Sequence, residues 1–247
     1  MTQPNLSYQG SKLRVYFGST VLLCAMISSA LIFGFLVLIC SIFPFAVRYR
    51  VANLWVKFVL VIAKIFCGIR YEVEGLENIQ DIQTAIVLSK HQSAWETIAL
   101  RLILPRQTAL LKRSLLWLPV WGWALAALKP IAIDRKQQRA ALKTLLKQGK
   151  ACLDEGLWVV VFPEGTRTAP GEVKKFSAGG ALLAEKTGFP VIPVAHNAGR
   201  CWSRNSFLKY PGVITVKIGP AIACQGKKAG DINAEATAWI TEAMQDL

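Results

Sequence analysis

Between Arg14 and Arg48 the chain runs for 33 residues without a charged side chain, as VYFGSTVLLCAMISSALIFGFLVLICSIFPFAV. About 20 apolar residues are enough to cross the hydrocarbon core of a bilayer, so the first part of this protein is expected to sit in a membrane. A cleaved signal peptide fits poorly, because the stretch is about twice the usual apolar region and no A-x-A site follows it. Its length allows a tilted single span or a helical hairpin, broken near Ser28-Ser29 or Gly34, that enters and leaves the same leaflet. Basic residues flank both ends, so loop charge does not choose between them.

The next stretch, VANLWVKFVLVIAKIFCGI, places Lys57 and Lys64 seven residues apart on one helical face. It reads either as an interfacial helix with snorkelling lysines or as a core helix with two solvated ones. The net charge is +14, and the first 71 residues hold seven basic side chains and no acidic one. Nucleic acid is not the expected partner, since zinc-finger spacing, an RNA-binding sheet signature and a basic zipper are all missing. An anionic membrane surface or an acidic protein fits better. The six cysteines are scattered without a C-x-x-C, which predicts reduced thiols in a cytoplasm-facing protein, and no metal site or cofactor.

From Tyr71 the texture changes to short β-rich runs separated by helical ones. Strands are expected over 71–73, 84–88, 108–111, 130–133, 158–162, 191–195 and 213–218, with helices over 139–153 and 231–244. This alternation predicts an α/β domain over residues 71–247, with a sheet covered on both faces, behind an N-terminal membrane segment over residues 1–70. SLLWLPVWGWALAAL, residues 114–128, is an uncharged candidate helix with three tryptophans. It suits the membrane interface, the domain core or the wall of an acyl-chain channel.

Two stretches carry chemistry. In KHQSAWET, residues 90–97, His91 follows an apolar strand and Glu96 comes five residues later. Residues five apart differ by about 140° around a helix, so the two side chains meet only if His91 ends the strand and the helix starts near Ser93. They then form a base and its orienting carboxylate. Ser93-Ala94-Trp95-Glu96 is equally a capping box, in which Glu96 bonds the Ser93 N–H. The octapeptide leaves both readings open. The second stretch, VVVFPEGTRT, drops a buried strand into a loop holding Glu164, Gly165, Thr166 and Arg167. Glycine permits close backbone approach, the hydroxyl donates, and arginine grips a phosphate through two N–H groups, so the ligand is expected to be anionic.

These blocks, in this order, resemble the 1-acylglycerol-3-phosphate acyltransferases of the glycerolipid acyltransferase superfamily. The resemblance covers roughly residues 70–220. His91 to Glu96 is similar to the family's H-x4-D block, KPIAIDR (Lys129 to Arg135) to its second, FPEGTR (Phe162 to Arg167) to its third and VIP (Val191 to Pro193) to its fourth. Glu96 stands where most members have aspartate. The resemblance implies the family's mixed sheet flanked by helices. It implies that His91 is the general base on a lysophospholipid hydroxyl, with Glu96 orienting it. Lys112, Arg135 and Arg167 become candidates to hold the acceptor's phosphate; Glu164 would order the loop, Gly165 and Thr166 would shape it, and Pro193 would border the acyl site. It further implies an acyl carrier protein or coenzyme A donor, a lysophosphatidic acid acceptor, contact with membrane lipid, and a catalytic domain on the cytoplasmic face, in a bacterial cell that of the inner membrane. Acylation of another lysophospholipid or a lyso-aminolipid is the near alternative. A lipid hydrolase and a non-catalytic anionic-lipid binding module are the distant ones. His196, in PVAHNAGR, is expected to be a loop histidine bonded to backbone.

Overall fold

The computed structural model describes residues 10–134, 136–172 and 174–247. The charge-free run forms one helix, α1 (Lys12–Ile39), of 28 residues. It does not break at Ser28-Ser29 or Gly34. The hydroxyls of Ser28 and Ser29 turn back onto the carbonyls of Cys24 and Ala25, so both serines are satisfied inside the helix. The break comes later, in a 3-10 turn over Cys40–Ile42, and Pro44 opens α2 (Phe45–Cys67). Pairing is antiparallel: Gly18 lies against Phe66, and Trp55 Nε1 donates to Ser29 Oγ at 3.1 Å. Among the described residues α1, with its following turn, is the one helix long and apolar enough to cross a membrane, at a mean hydropathy of 2.7.

Seven strands follow, each overlapping its expected position: β1 (Ile69–Glu74), β2 (Ile86–Ser89), β3 (Gln107–Lys112), β4 (Ile131–Ile133), β5 (Trp158–Val161), β6 (Val191–His196) and β7 (Gly212–Ile218). They form one mixed sheet in the order β1-β7-β6-β2-β5-β3-β4. Only β6 and β7 pair antiparallel; the other neighbours are parallel. Between them run α3 (Trp95–Ile103), α4 (Trp121–Ala126), α5 (Gln138–Asp154), α6 (Gly179–Thr187), α7 (Ala198–Cys201) and α8 (Ala229–Ala243).

The central strands are apolar without alternation because both faces are covered. Val87, Val160, Ile192 and Val194 point to the layer of α2 and α3. Ile86, Leu88, Val159 and Val161 point to α5, α6 and α8. α2 buries Trp55, Val56, Val59 and Ala63 in the same core as the sheet, so residue 70 is not a boundary in packing. Its outer side exposes Lys57 and Lys64 beside Leu54, Phe58, Val61 and Ile65. The stretch 114–128 is not one helix. It divides into a 3-10 turn over Arg113–Trp117 and the short α4, since Pro119 has no N–H to offer and Val120 takes a φ of 61°.

The α1–α2 contact depends on Gly18. A Cβ there would stand 2.2 Å from the Phe66 carbonyl oxygen, a backbone atom that cannot rotate away. Gly18→Ala is expected to cost about 1–3 kcal/mol, as overpacking does. Gly230→Ala, where no neighbour lies within 4 Å, should cost nothing. Thermal unfolding of the two variants in detergent checks the difference.

Candidate active site

β2 and β5 are neighbours, and their carboxyl ends release the two motifs side by side. Open α/β sheets bind ligands at that edge. His91 leaves β2 and α3 begins at Trp95, which brings the two halves of the octapeptide into contact. His91 Nδ1 and Glu96 Oε1 are 2.8 Å apart. The same oxygen accepts the N–H groups of Gln92 at 2.9 Å and Ser93 at 2.8 Å. Pair and cap therefore coexist in one carboxylate, while Ser93 Oγ accepts the Trp95 N–H.

Burial alone would push the Glu96 carboxyl up. The imidazoles of His196 and His91, the hydrogen bond from His91 and that from the Ser93 N–H outweigh it, so the group lies below its ordinary value and stays ionised. An ionised carboxylate only accepts. Nδ1 must then carry the ring proton, and Nε2 is the basic nitrogen. Phe162 stacks on the ring with centroids 4.2 Å apart. His196 ends β6 and is wholly buried. Its Nδ1 accepts the Ala198 N–H, its Nε2 donates to the Lys90 carbonyl, and burial holds it below its ordinary pKa.

Lys90 is the residue that reading the sequence left without a role. Its ammonium, buried with Glu164, pairs with that carboxylate and donates to Thr168 Oγ1 and the Glu172 carbonyl. The other Glu164 oxygen accepts the His91 N–H at 3.0 Å, and the Thr168 N–H donates to the His91 carbonyl at 2.8 Å. One signal existed: a glutamate leaving a fully apolar strand needs a cation, and Lys90 leaves the adjacent strand.

Gly165 follows with a φ of 69°, a left-handed conformation that glycine adopts without strain. Beyond it Thr166 and Arg167 line a cavity of about 620 Å³ that also contains His91 and Lys112. Arg204, outside every expected motif, lines it too, and its guanidinium donates to the Arg167 carbonyl. No local pattern marks it, since 37 residues separate the partners. Most of the remaining lining is apolar, with Phe33, Gly34 and Val37 of α1, Trp55 of α2, and Trp121 and Leu128 from the divided tryptophan stretch, although Arg101 and the buried Gln107 also line it. Trp55 and Trp121 meet edge to face at 4.8 Å. Pro193 is not on this cavity. It pairs in register with Leu88, its ring lies where a Gly219 side chain would stand, and strand alternation turns it away from Ile192 and Val194, which face α2 and α3. Arg135 lies outside the described residues.

A buried imidazole oriented by a carboxylate, open to a cavity lined by cations and by many apolar side chains, can deprotonate a hydroxyl on an anionic amphiphile. The comparisons agree with such a site. A family model described as "Acyltransferase" matches residues 70–197. The chain is 48% identical over 234 residues to a 1-acyl-sn-glycerol-3-phosphate acyltransferase of Pseudomonas aeruginosa, covering 92% of this chain and 91% of that one. It is 32% identical to the mouse 1-acyl-sn-glycerol-3-phosphate acyltransferase alpha, over 76% and 68% of the two chains. The fold matches the crystal structure of the 1-acyl-sn-glycerophosphate acyltransferase from Thermotoga maritima with a TM-score of 0.80, at 21% identity over 95% of this chain and 96% of that one. This chain belongs to the acyltransferase family.

Lys90→Met should cost about 3–5 kcal/mol, the usual effect of leaving one partner of a buried ion pair uncompensated. Lys90→Met with Glu164→Leu should be less destabilised than the sum of the single variants. Melting curves of the three proteins check the coupling.

Proposed function

We propose that this chain transfers a fatty acyl group from a thioester donor to the free sn-2 hydroxyl of 1-acyl-sn-glycerol-3-phosphate, forming phosphatidate. The observation that carries this reading is the His91–Glu96 pair at the wall of a cavity lined by Lys112, Arg167 and Arg204 together with many apolar side chains. The names of the relatives agree with it. The donor is carried on coenzyme A or on an acyl carrier protein. α1 holds the enzyme in the membrane where acceptor and product reside, with the catalytic domain on the cytoplasmic side.

In the reaction, Nε2 of His91 takes the proton of the acceptor hydroxyl as its oxygen attacks the thioester carbonyl. Glu96 keeps Nδ1 protonated and stabilises the imidazolium that forms. The tetrahedral intermediate collapses, the carbon–sulfur bond breaks, and the imidazolium returns its proton to the leaving thiolate. No acyl-enzyme is required. Holding both substrates in line can supply about 7 kcal/mol or more, and a positioned base about 10²- to 10⁴-fold. Arg167, Lys112 and Thr166 receive the acceptor's phosphate, and the apolar interior takes acyl chain.

His91→Ala should abolish transfer from labelled palmitoyl-CoA to lysophosphatidic acid while donor binding stays measurable. Glu96→Gln retains a capping side chain but loses the charge, so the folded variant should turn over about 10²-fold more slowly with little change in KM. Glu96→Asp should keep substantial activity. Turnover of folded Glu96→Gln near the wild-type rate would reduce Glu96 to a helix cap.

Arg167→Lys preserves charge and removes the two-point grip. It should raise the acceptor KM more than the donor KM, and the defect should vanish on monoacylglycerol, which has no phosphate. A rise confined to the donor KM would place Arg167 on the donor instead.

A further inference from the structure

α5 carries its charge as a stripe. Arg139, Lys143 and Lys147 recur every four residues, Lys136 precedes them, and all four are exposed. Such like-charge spacing costs a helix a few tenths of a kcal/mol per pair. Lys150 pairs with Asp154, and Lys129 with Glu155, but among the described residues Arg139, Lys143 and Lys147 have no acidic partner. Leu142 and Leu146 lie half-buried between them and floor a shallow groove.

Position says what the stripe is for. α5 packs with α6 against the sheet face opposite α2 and α3. The apolar α1 lies on the α2 side, so the stripe belongs to the layer away from the lipid-seeking helix. Its N-terminal end follows β4 at the same edge of the sheet as the site. β4 ends at Ile133, in register with Lys112, which lines the His91 cavity. From Arg139 to Lys147 the stripe extends about 12 Å at 1.5 Å per residue. That is long and shallow for the clustered phosphates of a nucleotide, and suited to an acidic protein surface with a few apolar contacts.

We propose that this face of α5 docks an acidic, soluble carrier protein that presents the acyl group as a thioester on a flexible arm. The inference rests on the acyl-transfer reading and names the donor's carrier. The stripe accelerates encounter by charge and orients the carrier so that its arm passes Lys112 toward His91. The attraction is screened by salt.

The test compares palmitoyl–acyl carrier protein with palmitoyl-CoA, using full-length enzyme in detergent and lysophosphatidic acid as acceptor. For K143E/K147E, KM for the carrier-bound donor should rise about tenfold or more, the scale expected when facing charges are reversed. Kinetics with palmitoyl-CoA should be unchanged, which also shows that the variant is folded. Raising the salt should increase the wild-type KM for the carrier and barely move the variant's. Equal loss with both donors, no loss with either, or failure of the wild-type enzyme to use the carrier would overturn the proposal. So would weakened binding of the variant to anionic vesicles with the carrier KM intact, which would make α5 a membrane surface. If the wild-type enzyme transferred from neither donor, the acyl-transfer reading would fall instead. Titration of the enzyme with unacylated carrier protein would then still decide the docking, supporting it if K143E/K147E weakens binding and overturning it if not.

Discussion

One buried ion pair holds the site together. Lys90 and Glu164 leave neighbouring parallel strands, and each would be costly in the interior alone. Paired, they join the end of β2 to the end of β5. Glu164 also takes the N–H of His91, and Thr168 bonds both the pair and the His91 carbonyl. The backbone of His91 is thus clamped on both sides by the loop that carries Thr166 and Arg167. A buried pair of this kind adds little net stability compared with apolar packing. Its value is positional, because His91 and the loop from Glu164 to Thr168 become one rigid unit.

The electrostatics inside that unit are graded. Glu96 concentrates three donors on a single oxygen and remains an anion despite burial. His196, equally buried, has both ring nitrogens engaged by backbone, and burial holds its pKa below the ordinary value. One histidine is therefore left with a free basic nitrogen on the cavity and the other is a structural pin. Environment separates them, since as isolated side chains they are identical.

The N-terminal helices also build the wall of the cavity. α1 and α2 supply Phe33, Val37 and Trp55 to the cavity that His91 faces, while their other sides expose Phe35, Ile39, Phe58 and Ile65. One helical layer presents apolar surface inward and outward. A lipid chain can exchange one environment for the other with little change in solvation, because both are hydrocarbon-like.

The sequence by itself determined the strands, the apolar N-terminal helix, and which residues are candidates for the site, His91, Glu96 and the loop from Glu164 to Arg167. These follow from local facts: charge-free length, short apolar runs, and residue types with few other uses in that order. Proximity needed the tertiary structure. KHQSAWET could be a dyad or a cap until the strand-to-helix turn placed Glu96 Oε1 on both His91 and the backbone. Pro193 reads as bordering the acyl site because VIP closes the family's set of blocks, yet the period of two in a strand sends it to the opposite face. Ser28, Ser29 and Gly34 look like a hinge in one dimension, but i−4 hydrogen bonds keep the helix continuous and Pro44 sets the turn. Lys90 and Arg204 acquire roles only from Glu164 and Arg167, which lie 74 and 37 residues away along the chain. Local composition and spacing decide which elements form, whereas charge compensation across a sheet edge depends on which strands become neighbours, and only the fold decides that.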